Sequence, residues 1–441
     1  MFTIKLHAAL AACLLCLCAA PSLAQDANTE RLRIHGSNTM GERLVPALVK
    51  SWLQAAGYED VSERARGASR LEIHAQRDGT PLIVEIDKRG SASGIADLIE
   101  GNTELAMMAR RPNAEELDAA WQLGDLGSPD QEFVVAVDGV TAVVHASNPV
   151  RQLGIAQLRA IYAGQIRNWK QLGGPDLPIR PLLGNPRSAS GEFFAEAVMA
   201  GAAYGSSAQG NVRVASGVAS DPGSIGIVPL RSRVPGRARP LAISHGGLAV
   251  YPTPINILSE DYPLLRRYSL YGGQLMSALG RSFALHTVTR RAQEAVAVAN
   301  HFAVMLRPAP QSPAPRASAQ YTQLVAGAQR LPLSLRFNLA SSQSIFDSRT
   351  AYDLDRVAAY MRLPGNRGKH AVLVAFGNRE AGGALVSTLI SNDRADIVAG
   401  YLQERGVRVR SAHGLGTARP LAEAAQAGAR FRNERVEVWV L

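Results

Sequence analysis

The sequence has almost no cysteine, and this scarcity excludes several kinds of chemistry. Among 441 residues there are three cysteines, and all of them lie in the first 18 positions. If that segment is removed on export, the mature chain has no thiol nucleophile, no thiolate metal site and no disulfide. With 46% hydrophobic and 19% charged residues, the chain has enough apolar side chains to fold without covalent cross-links.

The first residues have the pattern of an export signal. Lys5 precedes an apolar stretch over residues 6–20, and Ser22-Leu23-Ala24 fits the small-x-small cleavage rule. We therefore expect residues 1–24 to be a signal peptide, because the apolar stretch is too short for a membrane span. An alternative is a lipid anchor, since Leu10-Ala11-Ala12-Cys13 is similar to a bacterial lipobox with Cys13 as the lipidated residue.

Motifs for catalysis and for nucleic-acid binding are also missing. The sequence has no HExxH, no GxSxG and no closely spaced His/Asp cluster, and His35 and His413 stand alone. We expect no enzyme activity, no cofactor and no metal. The formal net charge is +10, but no dense basic run with interleaved aromatics appears, so nucleic acid is excluded as a partner. The positive charge gives weak support for an anionic ligand.

The order of predicted elements is typical of an α/β protein. Short apolar strands at 32–34, 71–75, 82–86 and 105–108 alternate with a helix over 39–55 and another over 95–100. The apolar run 133–145 is either a pair of buried strands or one strand that crosses between two lobes. A chain of this length predicts two to four domains.

A proline-rich run, residues 308–317, is the clearest domain boundary. Its sequence PAPQSPAPRA predicts a semi-rigid linker. We therefore divide the chain into a signal peptide (1–24), an α/β domain (30–306), a linker (307–329) and a small α+β domain (330–441). The last has strands near 333–338, 371–376, 407–411 and 435–440, with helices over 348–361 and 393–404.

Three turns in the α/β domain share one pattern, in which a strand ends and small polar residues precede a helix. They are Gly36–Thr39, Gly90–Gly94 and Ser188–Gly191, and Arg187 adjoins the third. Each alone is more often a plain helix cap. Together they favour an anion site, because free N–H groups at helix starts carry partial positive charge and a guanidinium can hold two oxygens.

Longer motifs around these turns resemble the phosphate-binding, PstS-like periplasmic proteins of ABC importers. In order they are GSNTM, GSASGIADLIEGNTELAMMARRP, VDGVTAVVHASNPV, LRAIYAGQIRNWKQLGG and RSASGEFF. The resemblance covers about residues 31–306 and implies a two-lobed type II periplasmic-binding-protein fold. It also implies a phosphate or related oxyanion held between the lobes by Ser37, Asn38, Thr39, Ser91, Ser93, Arg187, Ser190 and Gly191.

Two positions depart from the family pattern. Glu192 stands where the family has a threonine, and Arg110 lies where many members carry an aspartate that accepts the phosphate proton. Without that acceptor, selection of a protonated oxyanion should be relaxed. Glu192 could take over the role, or it could be a solvent-facing acid at a helix start. We count Arg110 and Glu192 among the candidate ligand-binding residues.

The C-terminal region resembles the OmpA-like peptidoglycan-binding domain. The motifs are LRFNLASSQSIFD, LVAFGNREAGG, LISNDRADIVAGYLQERGV, HGLGTARP and RNERVEVWVL. The family holds the diaminopimelate group with an aspartate and an arginine, which correspond here to Asn378 and Arg394. Since Asn378 cannot neutralise the ligand ammonium, we expect weakened or lost affinity for peptidoglycan.

These observations predict a periplasmic receptor that captures phosphate or a related oxyanion and is positioned at the cell wall or outer membrane by its C-terminal domain. An ABC permease is a possible partner. One alternative is a non-binding structural protein of the cell envelope with a degenerate receptor domain. Another is a phosphate-ester hydrolase on the same scaffold, against which the missing metal ligands argue.

Overall fold

A computed structural model describes residues 29–205, 211–306, 317–338, 344–426 and 428–441. The predicted signal peptide, with Cys13, lies outside these ranges, and so does the proline-rich run except for its last residue. The helices that the structure describes are not long and apolar enough to cross a membrane.

The strands of the α/β domain lie close to the predicted ones, with several additions. They are β1 (Glu30–Gly36), β2 (Glu59–Ala65), β3 (Arg70–Arg77), β4 (Thr80–Asp87), β5 (Leu105–Met108), β6 (Glu132–His145), β7 (Gln152–Gly154), β8 (Arg180–Leu183), β9 (Ser224–Pro229), β10 (Ala238–Pro240), β11 (Ala242–Ser244), β12 (Leu265–Gly272) and β13 (Phe302–Ala303).

Helices follow most of the parallel strands, as the sequence pattern predicted. They are α1 (Val45–Ala55), α2 (Ser91–Ile99), α3 (Ala114–Ala119), α4 (Ile155–Tyr162), α5 (Ala189–Phe194), α6 (Asn211–Ser220), α7 (Pro254–Leu258), α8 (Ala278–Thr287) and α9 (Arg290–Val298). The first turn of the predicted helix 39–55 is a π-helical segment, Met40–Leu44, that leads into α1.

The sheet runs through two lobes without a break. Its strand order is β2-β3-β4-β1-β5-β12-β6-β9-β8, with β1 parallel to β4 and β5. Strand β6 is a single strand, which decides between the two interpretations of residues 133–145. Its first half pairs with β12 and its second half with β9, so it passes from one lobe into the other.

Each lobe has its own apolar core. Lobe 1, residues 29–137 and 266–306, buries Leu32, Met40, Trp52 and Phe283. Lobe 2, residues 139–264, has a separate core that includes Trp169. The structure is therefore the expected two-lobed α/β fold, with β6 and β12 as the strands that join the lobes.

At the crossing point the chain has no room for a side chain. A Cβ on Gly139 would lie 2.1 Å from the carbonyl oxygen of Leu264. Next to it, the Asp138 carboxylate accepts hydrogen bonds from Tyr268 (2.6 Å) and Arg266 (3.1 Å). This glycine and the polar cluster beside it fix how the two joining strands pass each other.

In lobe 1, two of the three predicted turns touch through glycine. A Cβ on Gly94 would lie 2.6 Å from both the Cα of Gly36 and the carbonyl oxygen of His35. The Gly90 N–H donates to the Gly36 carbonyl at 2.8 Å. Because Gly36 has a φ of +137°, it also favours glycine for conformational reasons. The start of α2 thus packs directly on the end of β1.

The C-terminal domain has a small sheet covered by two long helices. Its strands are β14 (Gln329–Arg336), β15 (Ala371–Phe376), β16 (Val409–Gly414) and β17 (Arg435–Val440), in the order β14-β17-β15-β16. Its helices are α10 (Ala319–Leu324), α11 (Ser348–Arg362), α12 (Gly383–Glu404) and α13 (Ala429–Asn433). Helix α12 begins ten residues before the predicted start at residue 393, because the small and apolar residues of this earlier segment are also helical.

The second half of the predicted linker packs on this domain. Helix α10 lies within residues 307–329, and its Tyr321 is buried with its hydroxyl 2.7 Å from the Glu437 carboxylate. From residue 317 onward the chain is therefore bound to the small domain and does not act as a spacer.

Buried ion pairs join the C-terminal domain to lobe 2. The Asp261 carboxylate accepts hydrogen bonds from Arg330 (2.6 Å) and Arg336 (3.2 Å). Burial alone raises the pKa of Asp261, but the arginines around it outweigh burial and lower that pKa to about 2. A second bridge runs from Arg349 to Glu260, at 2.7 Å. Breaking one such pair would leave an uncompensated buried charge.

The same domain also contacts lobe 1 and the joining strands. Arg267 on β12 donates to both oxygens of Asp347, at 2.8 and 2.9 Å. The Tyr352 hydroxyl donates to the Pro129 carbonyl at 2.7 Å. The C-terminal domain therefore bridges both lobes.

The contact between the first two turns predicts a site-specific loss of stability. Gly94→Ala should lower the free energy of unfolding by about 1–3 kcal/mol, because the new methyl group meets backbone atoms that cannot move aside. Urea unfolding measures the change. Gly400→Ala, in α12 with open space around it, is the control and should be neutral or slightly stabilising. Equal stability of the two variants would contradict the described packing.

The ion pairs of Asp261 predict acid sensitivity of a defined sign. Because its folded pKa lies below the unfolded value of 3.8, its contribution is fully present above pH 4 and is lost as the pH falls towards 2. The contribution is on the order of 2 kcal/mol. Between pH 5 and pH 2, Asp261→Asn should therefore lose less stability in urea unfolding than wild type does. Asp78→Asn, an exposed change in a turn, is the control. A variant that loses as much as wild type would contradict this assignment.

Candidate functional site

The first turn leads from β1 into the helical segment that contains α1. Ser37 is buried, and its N–H donates to the carbonyl of Met107 at 2.8 Å. Its hydroxyl oxygen accepts a long hydrogen bond, 3.4 Å, from the Met40 N–H. Asn38 is exposed and Thr39 is half-buried, and neither side chain bonds to a described residue. The side chains of Asn38 and Thr39 thus keep their hydrogen-bonding capacity for a ligand.

The second turn is joined to the end of β5 by a side chain. The Ser91 hydroxyl oxygen accepts a hydrogen bond from the Ala109 N–H at 3.1 Å, which leaves its own proton to donate. Ser93 donates to the Arg89 carbonyl at 3.4 Å, a long and weak bond. Met107 of β5 and Ala109, just after that strand, therefore hold the first and second turns side by side.

The third turn uses part of its own hydrogen-bonding capacity. Ser188 caps α5: its hydroxyl oxygen accepts from the Gly191 N–H at 3.2 Å and its hydroxyl donates to the Asn185 carbonyl at 2.6 Å. A Cβ on Gly191 would lie 2.4 Å from that same carbonyl. The predicted Gly191 donor is thus engaged within the turn, while Ser190 is half-buried and Glu192 is exposed.

The predicted guanidinium groups differ in their surroundings. Arg187 is exposed, and in the described ranges its side chain has no hydrogen-bond partner. Arg110 makes a two-bond ion pair with Glu116, both bonds being 2.6 Å. These hydrogen bonds raise the pKa of Arg110 and lower that of Glu116. Glu116 also belongs to the capping box of α3 with Asn113, and this Asn-x-x-Glu spacing was the sequence signal that we missed.

The third turn is not bonded to the first two in the part of the chain that the structure describes. No hydrogen bond among the described residues joins it to either turn. A cavity of about 370 Å³ is lined by Ala109 and Arg110 of lobe 1 and by Phe193 and Glu196 of lobe 2. Ala109 bonds to the second turn, and Phe193 comes two residues after the third. The structure thus brings two of the turns into contact, and residues next to the second and third turns line one cavity.

In the C-terminal domain, the two candidate peptidoglycan ligands are already paired. The Asn378 side-chain oxygen accepts from the Asn433 amide at 2.8 Å. Arg394 forms an ion pair with the buried carboxylate of Glu434, and its guanidinium lies 4.8 Å from the Phe337 ring centroid. The consecutive residues Asn433 and Glu434 therefore bring the two candidates to one place, and both were missed from the sequence.

Acidic and histidine side chains give no sign of a metal centre. Within the described ranges, no three His, Cys, Asp or Glu side chains group in a way that could hold an ion.

Comparison with known proteins bears on the two-lobed domain. The sequence model described as a PBP superfamily domain matches residues 64–288, half of the chain. The chain belongs to the PBP superfamily. This assignment fits the order of strands, turns and helices around the candidate site.

Among curated relatives, Protein SphX of Synechococcus elongatus is 28% identical over 210 residues, which are 44% of this chain and 61% of that protein. The phosphate-binding protein PstS of Staphylococcus epidermidis is 34% identical over 126 residues, 28% of this chain and 38% of that protein. The chain thus spans roughly 40–60% of the length of the curated relatives it matches. The staphylococcal relative is a binding protein, in agreement with the expectation of a receptor and not an enzyme.

Similar solved structures include an ABC-type phosphate transport receptor from Vibrio cholerae, with a TM-score of 0.49 and 21% sequence identity. The aligned region is 62% of this chain and 99% of that one. A putative phosphate ABC transporter substrate-binding protein from Clostridium perfringens, with bound phosphate, has a TM-score of 0.40 and 25% identity. It covers 62% of this chain and 98% of that one.

Proposed function

We propose that the chain is an extracytoplasmic receptor that binds phosphate or a related oxyanion between its two lobes without chemically changing it. The observation that most supports this proposal is the junction of the first two turns. There, hydrogen bonds with Met107 and Ala109 hold Ser37 and Ser91 together at the starts of two helical segments. Membership of the PBP superfamily and a relative named as a phosphate-binding protein support this proposal.

The chemistry of the two turns suits an anion. Backbone N–H groups at a helix start carry partial positive charge and point outward. The unengaged side chains of Asn38 and Thr39 and the Ser91 hydroxyl proton add donors without adding formal charge. From the other lobe, Arg187 is a guanidinium with no carboxylate in the described ranges to neutralise it, and closure of the lobes would bring it to the anion.

Selectivity for the protonation state of the anion depends on a carboxylate acceptor. Arg110 stands at the family position for this role and is paired with Glu116, so Glu192 is the remaining candidate. Because Glu192 is exposed in α5, we propose that it does not accept a proton from the ligand and that discrimination between phosphate and sulfate is weak.

Isothermal titration tests this assignment on the full chain. Binding of phosphate and of sulfate should each give a measurable heat. Thr39→Ala and Ser91→Ala should each weaken phosphate binding about tenfold or more, which is the usual cost of losing a hydrogen bond to a charged group. Ser216→Ala, an exposed serine of lobe 2, is the matched control and should bind like wild type. The absence of heat with phosphate, sulfate and arsenate would instead favour the structural envelope protein.

We further propose that the C-terminal domain is OmpA-like and makes a weak contact with peptidoglycan, which positions the receptor at the cell wall. Asn378 lacks the charge that attracts an ammonium group, and Glu434 already neutralises Arg394. Both features reduce the electrostatic attraction expected for a zwitterionic ligand. An ABC permease remains the proposed partner of the two lobes.

Sedimentation with purified cell wall tests the contact. Wild type should be retained in a small fraction, and Asn378→Asp should raise that fraction several-fold because it restores the charge-assisted bond. Asn102→Asp, an exposed change of the same charge in lobe 1, is the control and should match wild type. If neither wild type nor Asn378→Asp sediments with the wall, the proposed anchoring is wrong.

A further inference from the structure

The cavity beside the candidate anion site extends to the C-terminal domain. Its walls come from three parts of the chain: Ala109 and Arg110 of lobe 1, Phe193 and Tyr262 of lobe 2, and Phe431 and Arg432 of the C-terminal domain. Its volume of about 370 Å³ falls within the range of about 300–1,000 Å³ usual for pockets that hold small organic molecules. A single inorganic oxyanion would leave most of this space unused.

One end of the cavity adjoins the proposed oxyanion contacts. The Ala109 N–H donates to the Ser91 hydroxyl, so the cavity wall and the second turn share a hydrogen bond of 3.1 Å. Phe193, another residue of the cavity wall, comes two residues after the third turn. The cavity wall is thus joined to the second turn by one hydrogen bond and to the third by two peptide bonds, and this closeness is the basis for extending a bound oxyanion into the cavity.

The lining of the cavity is rich in charged side chains. It contains five arginines and two glutamates; the arginines are Arg110, Arg111, Arg266, Arg267 and Arg432. Four of the five arginines have carboxylate partners: Glu116, Asp347, Asp138 and Glu260. The two glutamates are Glu260, which is engaged by Arg267 and Arg349, and Glu196, which is exposed.

Arg432 differs from the other four arginines. Its guanidinium donates to the Pro263 carbonyl at 3.1 Å, and it has no carboxylate partner in the part of the chain that the structure describes. Burial lowers the pKa of Arg432, and the nearby charges of Glu260 and Asp261 offset that effect only in part. A guanidinium in this position, with no ion pair of its own, favours a ligand that brings a negative group. It belongs to the part of the cavity wall that the C-terminal domain supplies.

The walls between these two ends are partly aromatic. The guanidinium of Arg266 lies 5.1 Å from the Phe193 ring centroid, and that of Arg111 lies 4.4 Å from the Phe431 ring centroid. These cation–π contacts hold both rings in place at the cavity wall. Such walls suit a flat or apolar body that links two charged ends.

We propose that the ligand is an organic phosphate with a second anionic group, and this inference rests on the function proposed above. Its phosphoryl group binds at Ser37 and Ser91, its organic body lies between Phe193 and Phe431, and its second anion meets Arg432. The C-terminal domain thereby completes the binding site of the two lobes.

Titration of the full chain with three probes tests the proposal: inorganic phosphate, phenyl phosphate and 4-carboxyphenyl phosphate. Wild type should bind 4-carboxyphenyl phosphate at least tenfold tighter than inorganic phosphate, with phenyl phosphate between them. Arg432→Gln should reduce the affinity for the carboxylated ester to that for phenyl phosphate and leave inorganic phosphate unchanged. Arg432→Lys should keep most of the preference, and Arg410→Gln, an exposed arginine of the same domain, should have no effect.

The outcomes separate this proposal from the one it rests on. If inorganic phosphate binds and neither ester binds more tightly, the extended ligand is ruled out while the receptor function stands. If no probe binds, the receptor function fails as well. A preference for the carboxylated ester that survives Arg432→Gln would overturn the role of Arg432. The ranking of the three probes on wild type needs no variant and decides the proposal even if Arg432→Gln does not fold.

Discussion

The approach of Gly36 to Gly94 is the constraint on which the candidate site depends. With no side chain on either residue, the start of α2 packs against the end of β1. Strand β5 and the residue after it then bond to both turns, through the Met107 carbonyl and the Ala109 N–H. Hydrogen-bond donors from two separate segments are therefore set side by side by backbone packing.

Around this junction, the C-terminal domain limits how the lobes can move. It is bonded to lobe 2 through Asp261 and to the joining strand β12 through Arg267, and Tyr352 bonds to lobe 1. A receptor that closes by rotating one lobe must keep these contacts or exchange them. The domain thus acts as a wall of the interlobe space, whereas the proline-rich run predicted a semi-rigid linker in front of it.

Much of the fold could be predicted from the sequence because it is local. Strand β5 has the bounds that the apolar pattern predicted, and β1 extends two residues beyond the predicted strand at each end. Strand β12 was missed, since its sequence LRRYSLYG carries two arginines that pair with acids far along the chain. The partner of Arg394 was missed for a similar reason, because an ion pair between distant segments leaves no periodic pattern. The partner of Arg110 lies only six residues along the chain and was missed although its Asn-x-x-Glu capping box is visible in the sequence. The three strand-to-helix turns could be predicted, but which of their hydrogen-bond donors remain unengaged depends on tertiary contacts.

An arsenate-soaked crystal measured at the arsenic absorption edge tests the central claim most directly. Arsenate has the shape and charge of phosphate, and its anomalous signal locates the anion without interpretation of weak density. The account predicts one strong peak within hydrogen-bond distance of the Ser37 and Ser91 turns and closed over by the third turn. A peak elsewhere, or none at saturating arsenate, would contradict the conclusion that these turns form an oxyanion site.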